Sequence, residues 1–118
     1  MKLEVFSNIR YNNKDLTIRM RANSFRLNKK LYKALDCPEY VKFALDRNEK
    51  ILGIAKCEED DVNRFTVNAR IFTLCASSLY KEISKMIFGN PRKASITFDG
   101  KEDGYFIAHL DKGVFNGE

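Results

Sequence analysis

The chain has 118 residues, a formal net charge of +5 and a sequence pI of about 9.2. A hydrophobic fraction of 44%, with nine Phe and five Tyr, is enough for a folded core and excludes global disorder. No apolar run approaches the roughly 20 residues that span a bilayer, and the first residues lack the apolar segment of a signal peptide. We therefore expect a cytoplasmic protein that forms one compact domain and has no membrane contact.

The chain contains three cysteines, Cys37, Cys57 and Cys75, and a single histidine, His109. An odd number of cysteines without a close pair predicts reduced thiols, because a structural zinc site needs about four ligands. No Gly-rich phosphate loop, nucleophile motif or metal-spaced His/Cys set is present in the sequence. Cys37 is a candidate reactive thiol, but His109 is the only available base, so we expect no enzyme, no cofactor and no metal.

Positive charge is concentrated in the first half of the chain. Residues 1–57 hold 13 Lys and Arg against 6 Asp and Glu, whereas residues 58–118 hold 8 against 10. Between positions 10 and 33 a single acid, Asp15, accompanies eight basic residues: Arg10, Lys14, Arg19, Arg21, Arg26, Lys29, Lys30 and Lys33. Such a local excess favours a polyanionic partner, nucleic acid before a membrane surface. The alternative is a solubilising surface.

The first residues predict two strands separated by a turn. Residues 1–11 alternate weakly and predict an edge strand, and the Asn and Asp residues of 12–15 predict a turn. In 16–22 the apolar residues share one face, while Arg19 and Arg21 share the other. This pattern predicts a half-buried strand with a row of arginines on its wet side.

A short helix and a hairpin are predicted next. Asn23-Ser24 interrupts the strand, and Asn28 is a candidate helix N-cap, because its side-chain oxygen can accept from the free amides of the first turn. Leu31 and Leu35 would face the core, and Pro38 prevents the helix from continuing. The polar residues 46–49 then predict a tight turn between two strands, at 40–45 and 50–57.

Four consecutive acids at 58–61 predict a solvated connector between the halves. A divalent-metal site is the alternative, but four neighbouring acids cannot all converge on one ion. Beyond this connector, the sequence predicts a strand at 64–68 and a helix over roughly 75–88 that Gly89-Asn90-Pro91 ends. A second hairpin, 94–99 with 104–110 across 100–103, and a loose polar tail at 111–118 complete the chain.

The two halves share an ordered set of short matches. Phe25-Arg26-Leu27 matches Phe72-Thr73-Leu74 at an offset of 47, and Leu31-Tyr32-Lys33 matches Leu79-Tyr80-Lys81 at 48. The strand 41–46 matches 94–99 at 53. We therefore predict an α+β fold with antiparallel sheets, built from two tandem β-α-β-β units related by a pseudo-twofold axis. The units are 1–57, which includes the edge strand, and 62–110.

The run Ser24-Phe25-Arg26-Leu27-Asn28-Lys29-Lys30-Leu31-Tyr32-Lys33-Ala34-Leu35-Asp36, followed by a predicted hairpin, resembles the swapped-hairpin DNA-binding domain of AbrB-type transition-state regulators. Two such units in one chain resemble the tandem arrangement of the MraZ regulators. The chain also resembles small uncharacterised phage-associated proteins of Gram-positive bacteria. The AbrB resemblance implies transcription regulation through double-stranded DNA, bound by basic residues that match Arg19, Arg21, Arg26, Lys29, Lys30 and Lys33.

Two other functions fit the same composition. Single-stranded nucleic acid could stack on aromatic residues between the basic ones, as on a Whirly-like sheet: Phe6, Tyr11, Phe25, Tyr32, Tyr40 and Phe43. Phe25 and Phe43 fall on predicted core faces, however, where packing is the commoner role. The near-neutral second half would suit a protein-interaction module, such as a phage or plasmid accessory factor. A homodimer and a protein partner stay open.

Overall fold

Strands dominate the described part of the chain, where two short helices lie between them. The structure, a computed structural model, describes residues 16–87, 93–110 and 114–116. The predicted edge strand at 1–11, the turn at 12–15 and Gly89-Asn90-Pro91 lie outside these residues. The described elements, in chain order, are β1 Leu16–Arg21, β2 Ser24–Leu27, α1 Lys29–Ala34, β3 Tyr40–Asp46, β4 Ile51–Lys56, β5 Phe65–Thr66, β6 Thr73–Cys75, α2 Ser77–Met86, β7 Ala94–Phe98, β8 Gly100–Glu102, β9 Tyr105–His109 and β10 Val114–Asn116.

The strands of the described residues form two sheets of five strands each. Sheet A has the order β10-β7-β1-β2-β6, and sheet B has the order β5-β3-β4-β9-β8. Every pairing within them is antiparallel. The predicted α+β class with antiparallel sheets is therefore confirmed. Each sheet takes strands from both sides of the acidic connector 58–61. No helix among the described residues is long and apolar enough to cross a membrane.

One hydrophobic core lies between the sheets. Along β1 and β2 the residues alternate, so that Ile18, Met20, Phe25 and Leu27 are fully buried while the arginines between them are exposed. The Phe25 ring from sheet A meets the Phe43 ring from sheet B, with 6.0 Å between their centroids. The inner faces of both sheets therefore bury their side chains against each other.

The two sheets are joined at two corners. At one corner, Asn68 and Thr73 form an isolated bridge between the segments that carry β5 and β6. At the other, the chain passes from β7 in sheet A to β8 in sheet B through Asp99, whose N–H donates to the Ile107 carbonyl at 3.0 Å. The first corner joins the edge strands β5 and β6, and the second joins β7, one strand in from the edge of sheet A, to the edge strand β8.

Helix α1 begins as the sequence predicts. The Asn28 Oδ1 accepts from the Leu31 N–H at 2.8 Å, so Asn28 is the N-cap, and the same oxygen accepts from the Thr17 N–H at 3.3 Å. This side chain ties the helix start to β1. Leu31 and Leu35 are buried, and the Tyr32 ring stacks on the Phe72 ring at 4.4 Å.

The first predicted hairpin is confirmed, with β3 and β4 paired along their length. Its turn is held by Asp46, whose Oδ1 accepts from the backbone N–H groups of Asn48 and Glu49, both at 3.0 Å. An aspartate that folds back on the two following amides is the usual chemistry of such turns.

The second predicted hairpin, 94–99 with 104–110, is wrong, because these two strands do not pair with each other. Strand β7 pairs with β1 and β10, whereas β9 pairs with β4 and with β8. The turn that does form is Asp103-Gly104, which joins β8 to β9 with φ values of 53° and 85°. Two central residues with positive φ match the twist of the strands that they connect, which explains why the chain turns there.

Two further boundaries differ from the predictions. Helix α2 begins at Ser77 rather than near 75, because Thr73–Cys75 pairs with β2 as strand β6. The predicted loose tail is wrong for Val114–Asn116, which pairs with β7 as strand β10. In both places a segment of three residues gains its strand conformation from a neighbour that is distant in sequence.

Candidate nucleic-acid interface

The outer surface of sheet A carries the three predicted arginines. Arg19 on β1 and Arg26 on β2 point outward, because each stands between two buried residues. Arg21, the last residue of β1, follows the buried Met20 and points to the same side as Arg19. All three side chains are exposed. We call this surface the arginine face and define it by its outward residues: Arg19, Arg21, Ser24, Arg26, Thr73, Ser95 and Thr97.

The β1–β2 hairpin brings two of the arginines together. Arg19 lies directly opposite Arg26 in the register of the two strands. Side chains directly opposite each other in an antiparallel pair have Cβ atoms about 4.5–5.5 Å apart. The same row continues to Ser95 on β7 and to Thr73 on β6. Two guanidinium groups flanked by hydroxyl side chains therefore stand at the middle of the sheet.

Arg21 stands in the next outward row, opposite Ser24. The pairing of β1 with β7 extends to Met20 and Ala94, and the next residue of the β7 side is Lys93, which is exposed. Lys93 is a basic residue that the sequence predictions missed. Its proximity to Arg21 follows from the pairing of β7 with β1, and no local pattern indicates that pairing.

The three predicted lysines lie on a separate element. Lys29, Lys30 and Lys33 are exposed on α1, which starts where β2 ends. Lys29 and Lys33 are one helical turn apart and therefore share one side of the helix. The structure thus brings Arg19 and Arg26 together as cross-strand neighbours, whereas the lysines extend the basic region beyond the end of the strand.

No acidic side chain of the described residues balances the positive charge of the arginine face. Among the described residues, no carboxylate lies within 4.0 Å of Arg19, Arg21 or Arg26, and none of the outward residues that define the face is acidic. Basic side chains elsewhere do find acids, as in the Arg47–Glu82 pair at 3.3 Å. Like charges directly opposite on neighbouring strands destabilise a sheet. The Arg19–Arg26 arrangement therefore carries a cost that no described acid offsets.

Aromatic side chains do not contribute to the arginine face within the described strands β1, β2, β6 and β7. Phe25 is fully buried, so it cannot stack on a base. Phe43 packs against it in the core, and Tyr32 stacks on Phe72. Tyr40 lies in sheet B beside the Arg64 guanidinium, 5.8 Å from the ring centroid. Desolvation, followed by the charges of neighbouring glutamates, raises the pKa of Tyr40. Phe6 and Tyr11 lie outside the described residues.

The remaining chemically active side chains are dispersed. Cys37 and Cys75 are exposed free thiols and Cys57 is a buried one, whose pKa is raised by burial and then by the Asp61 carboxylate. His109 lies 3.5 Å from the Asp99 carboxylate, between Nδ1 and Oδ1. Within 16–87 and 93–110, no three His, Cys, Asp or Glu residues are grouped closely enough to hold a metal.

The chain matches no family model, no curated protein and no solved structure. Its function is therefore inferred from the geometry and charge of the arginine face.

Proposed function

We propose that the protein binds double-stranded DNA through the arginine face, as a small transcriptional regulator or accessory factor. The opposition of Arg19 and Arg26 without a neighbouring carboxylate carries this proposal. Guanidinium groups bind phosphate oxygens in a bidentate, charge-assisted geometry. A polyanion laid on the face supplies the negative charge that the described residues around the two arginines lack.

A solubilising surface accounts less well for this arrangement. Surfaces that serve solubility carry both signs of charge interspersed, which limits repulsion. Sheet B follows that pattern, since Lys42 lies 3.8 Å from the Asp61 carboxylate. The arginine face instead presents one sign of charge beside small hydroxyl groups. Hydroxyl side chains such as Thr73 and Ser95 are suited to donate hydrogen bonds to phosphates.

Duplex DNA suits the face better than single strands do. Proteins that bind single strands without sequence preference combine basic grooves with aromatic side chains on which bases stack. On strands β1, β2, β6 and β7 no aromatic side chain points away from the core, since Phe25 and Phe98 are buried. A surface of arginines and hydroxyl groups fits the regularly spaced phosphates of a duplex.

We also propose that the chain is a tandem pair of β-α-β-β units about a pseudo-twofold axis, as in the AbrB-like and MraZ-like resemblance. When a twofold axis passes between two equivalent strands, the strands pair antiparallel. If two residues are opposite each other across the axis, their equivalents in the other unit must also be opposite each other. Strands β2 and β6 fit this requirement at the offset of 47. Phe25 lies opposite Leu74, and the equivalent pair is Leu27 with Phe72, whose carbonyl accepts from the Leu27 N–H at 2.8 Å.

Strands β4 and β9 fit the same symmetry. At an offset of 54, Leu52 corresponds to Phe106 and Ile54 corresponds to Ala108. The register places Leu52 opposite Ala108 and Ile54 opposite Phe106, so these two pairs exchange under the symmetry. The two registers together support a common axis through sheet A and sheet B, but the match of 41–46 with 94–99 does not follow it, because β3 lies in sheet B and β7 lies in sheet A. Under this symmetry Arg26 corresponds to Thr73, so the first unit supplies the charge.

Fluorescence anisotropy with a labelled duplex of about 20 base pairs, two helical turns, tests the DNA-binding proposal. If about six phosphates are neutralised, the affinity should fall roughly 10³-fold between 50 and 200 mM salt. The triple variant Arg19→Ala, Arg21→Ala, Arg26→Ala should bind at least about 100-fold more weakly at low salt. Its free energy of unfolding should not fall, because the three side chains are exposed and repel each other.

The matched control removes the same charge elsewhere. Lys81, Lys85 and Lys101 are exposed residues of α2 and β8, and their triple change to Ala should leave the affinity within about threefold of the wild type. A wild-type affinity that does not change with salt, or no binding at low salt, contradicts the proposal. A large loss of stability in the arginine variant would show that these side chains are structural.

A further inference from the structure

We infer that the arginine face holds duplex DNA by its phosphates and does not read base sequence in the major groove. This inference rests on the proposed function and specifies the chemistry that the face recognises. It follows from the position of β1 and β2 within sheet A, the short reach of their turn and the residues on the strands beside them.

The arginine-bearing strands stand in the middle of a broad sheet. Strands β1 and β2 are the third and fourth of five in the order β10-β7-β1-β2-β6. Neighbouring strands lie about 4.8 Å apart, so five strands span roughly 19 Å. The major groove of B-DNA is about 12 Å wide and admits an α-helix or a two-stranded ribbon. Sheet A is therefore too wide to enter the groove.

The β1–β2 hairpin does not project as a free ribbon either. Strand β7 accompanies β1 as far as Met20, and strand β6 accompanies β2 from Ser24 onward. Arg21 extends beyond β7 on one side, and only the turn residues, Ala22 and Asn23, extend beyond both flanking strands. A ribbon that reads the major groove needs two strands without lateral neighbours over the length that enters it.

The flanking strands meet the phosphates first. Their outward residues include Thr73 on β6 and Ser95 and Thr97 on β7, which are small and partly exposed. When these residues rest on the two phosphate walls, the floor of the major groove lies about 8.5 Å below. The Cα atoms of Arg19 and Arg26, in the same row as Thr73 and Ser95, then lie above the phosphate walls, so phosphate oxygens are the first acceptors that the two guanidinium groups meet. Contacts with phosphates fix position but carry no base information.

A phosphate contact and a base contact differ in what they require of the cation. Lysine binds phosphate as a point charge, whereas a bidentate arginine contact to a guanine edge depends on the planar guanidinium fork, which an ammonium at the same position does not reproduce. A phosphate-gripping face should therefore tolerate Arg→Lys changes at all three positions. A base-reading face should lose affinity for its preferred sequence.

The test combines a panel of duplexes with lysine substitutions in the full chain. Four duplexes of about 20 base pairs are used at one salt concentration: mixed, A+T-rich, G+C-rich and one with an A-tract, whose narrow minor groove attracts arginine. We expect dissociation constants within about threefold of each other and parallel salt slopes. The variant Arg19→Lys, Arg21→Lys, Arg26→Lys should stay within about fivefold of the wild type on all four.

Selection from a random duplex library gives the decisive comparison. A selected sequence bound about 10³-fold or more tightly than the panel would overturn the inference while leaving the proposed function intact. So would an A-tract preference of that size, or a lysine variant that loses affinity for one duplex alone. If no duplex is bound at low salt, the proposed function fails and this inference fails with it. Circular dichroism of each variant establishes that it is folded.

Discussion

The outer surfaces of the two sheets differ in how their charges are paired and in how far their strands are covered. On sheet A, exposed arginines stand opposite each other, with small hydroxyl residues around them. On sheet B, the outward positions Gly53 and Ala55 are buried, and the Tyr105 side chain covers Gly53. Lys42 lies 5.7 Å from the Tyr105 ring centroid and 3.8 Å from the Asp61 carboxylate. Sheet B thus covers and neutralises its own outer surface.

This difference shows that the outward-facing strand residues of this chain do not in general leave positive charge exposed and unpaired. Both sheets bury an inner face in the same core, and both have polar side chains outside. Only on the arginine face do cations stand opposite cations without a described acid nearby. Charge repulsion retained on a surface of this kind is consistent with selection for a ligand rather than for stability.

The largest expected effect concerns the side of sheet A that faces the core. Phe25→Ala should lower the free energy of unfolding by about 3–5 kcal/mol, because it leaves a cavity beneath the arginine face and removes the contact with Phe43. Urea unfolding of the two proteins measures the difference. Arg26→Ala, one position along the same strand, is the control and should change stability by less than about 1 kcal/mol. Equal losses in the two variants would show that the strand is not half-buried.

The outer surface of sheet B should resist an added methyl group. A Cβ at Gly53 would lie 3.2–3.3 Å from three atoms of Tyr105, so Gly53→Ala should cost about 1–2 kcal/mol. In a Tyr105→Ala background the same change should cost less, because the contacts with two ring atoms are removed while the contact with the Cβ of residue 105 remains. Ser95→Ala on the arginine face is the comparison and should stay within about 0.5 kcal/mol. Thermal or urea unfolding of the double-mutant cycle decides between packing and backbone effects.

Local chemistry explains which features could be predicted from the sequence. Asn28 caps α1 with its own side chain, and Asp46 closes the β3–β4 turn with bonds to the next residues. Alternation along β1 predicts that Arg19 and Arg21 are exposed, because side chains of successive strand residues point to opposite faces. Each of these features depends on residues within a few positions of one another.

Long-range pairing explains what could not be predicted. The sequence indicates an interruption at Asn23, but the structure turns the chain there, with φ of 66° at Asn23, and places Arg26 opposite Arg19. Because Asn tolerates this backbone conformation, Asn23 itself indicates a turn. The apolar alternation that resumes after it favours the continuation of one interrupted strand instead. Lys93 lies beside Arg21 only because β7 pairs with β1. The alternation of residues along β7 is equally compatible with the hairpin of 94–99 and 104–110 that we predicted.

The smallest expected effect tests the opposed arginines directly. Arg26→Thr introduces the residue found at the matching position of the second half, Thr73, which is also its cross-strand partner. It should raise the free energy of unfolding by about 0.2–1 kcal/mol at low salt, because it removes the like-charge pair with Arg19 and because threonine suits a strand. Arg21→Thr made in a Lys93→Ala protein is the matched control, since Arg21 faces Ser24 on β2 and the change of Lys93 removes the cation on its β7 side. Near 1 M salt, where the screening length is about 3 Å, the two threonine changes should have equal effects on stability, each relative to its own parent protein. If Arg26→Thr instead destabilises the protein at every salt concentration, the guanidinium stabilises the sheet, and the repulsion on which the DNA-binding proposal rests is absent.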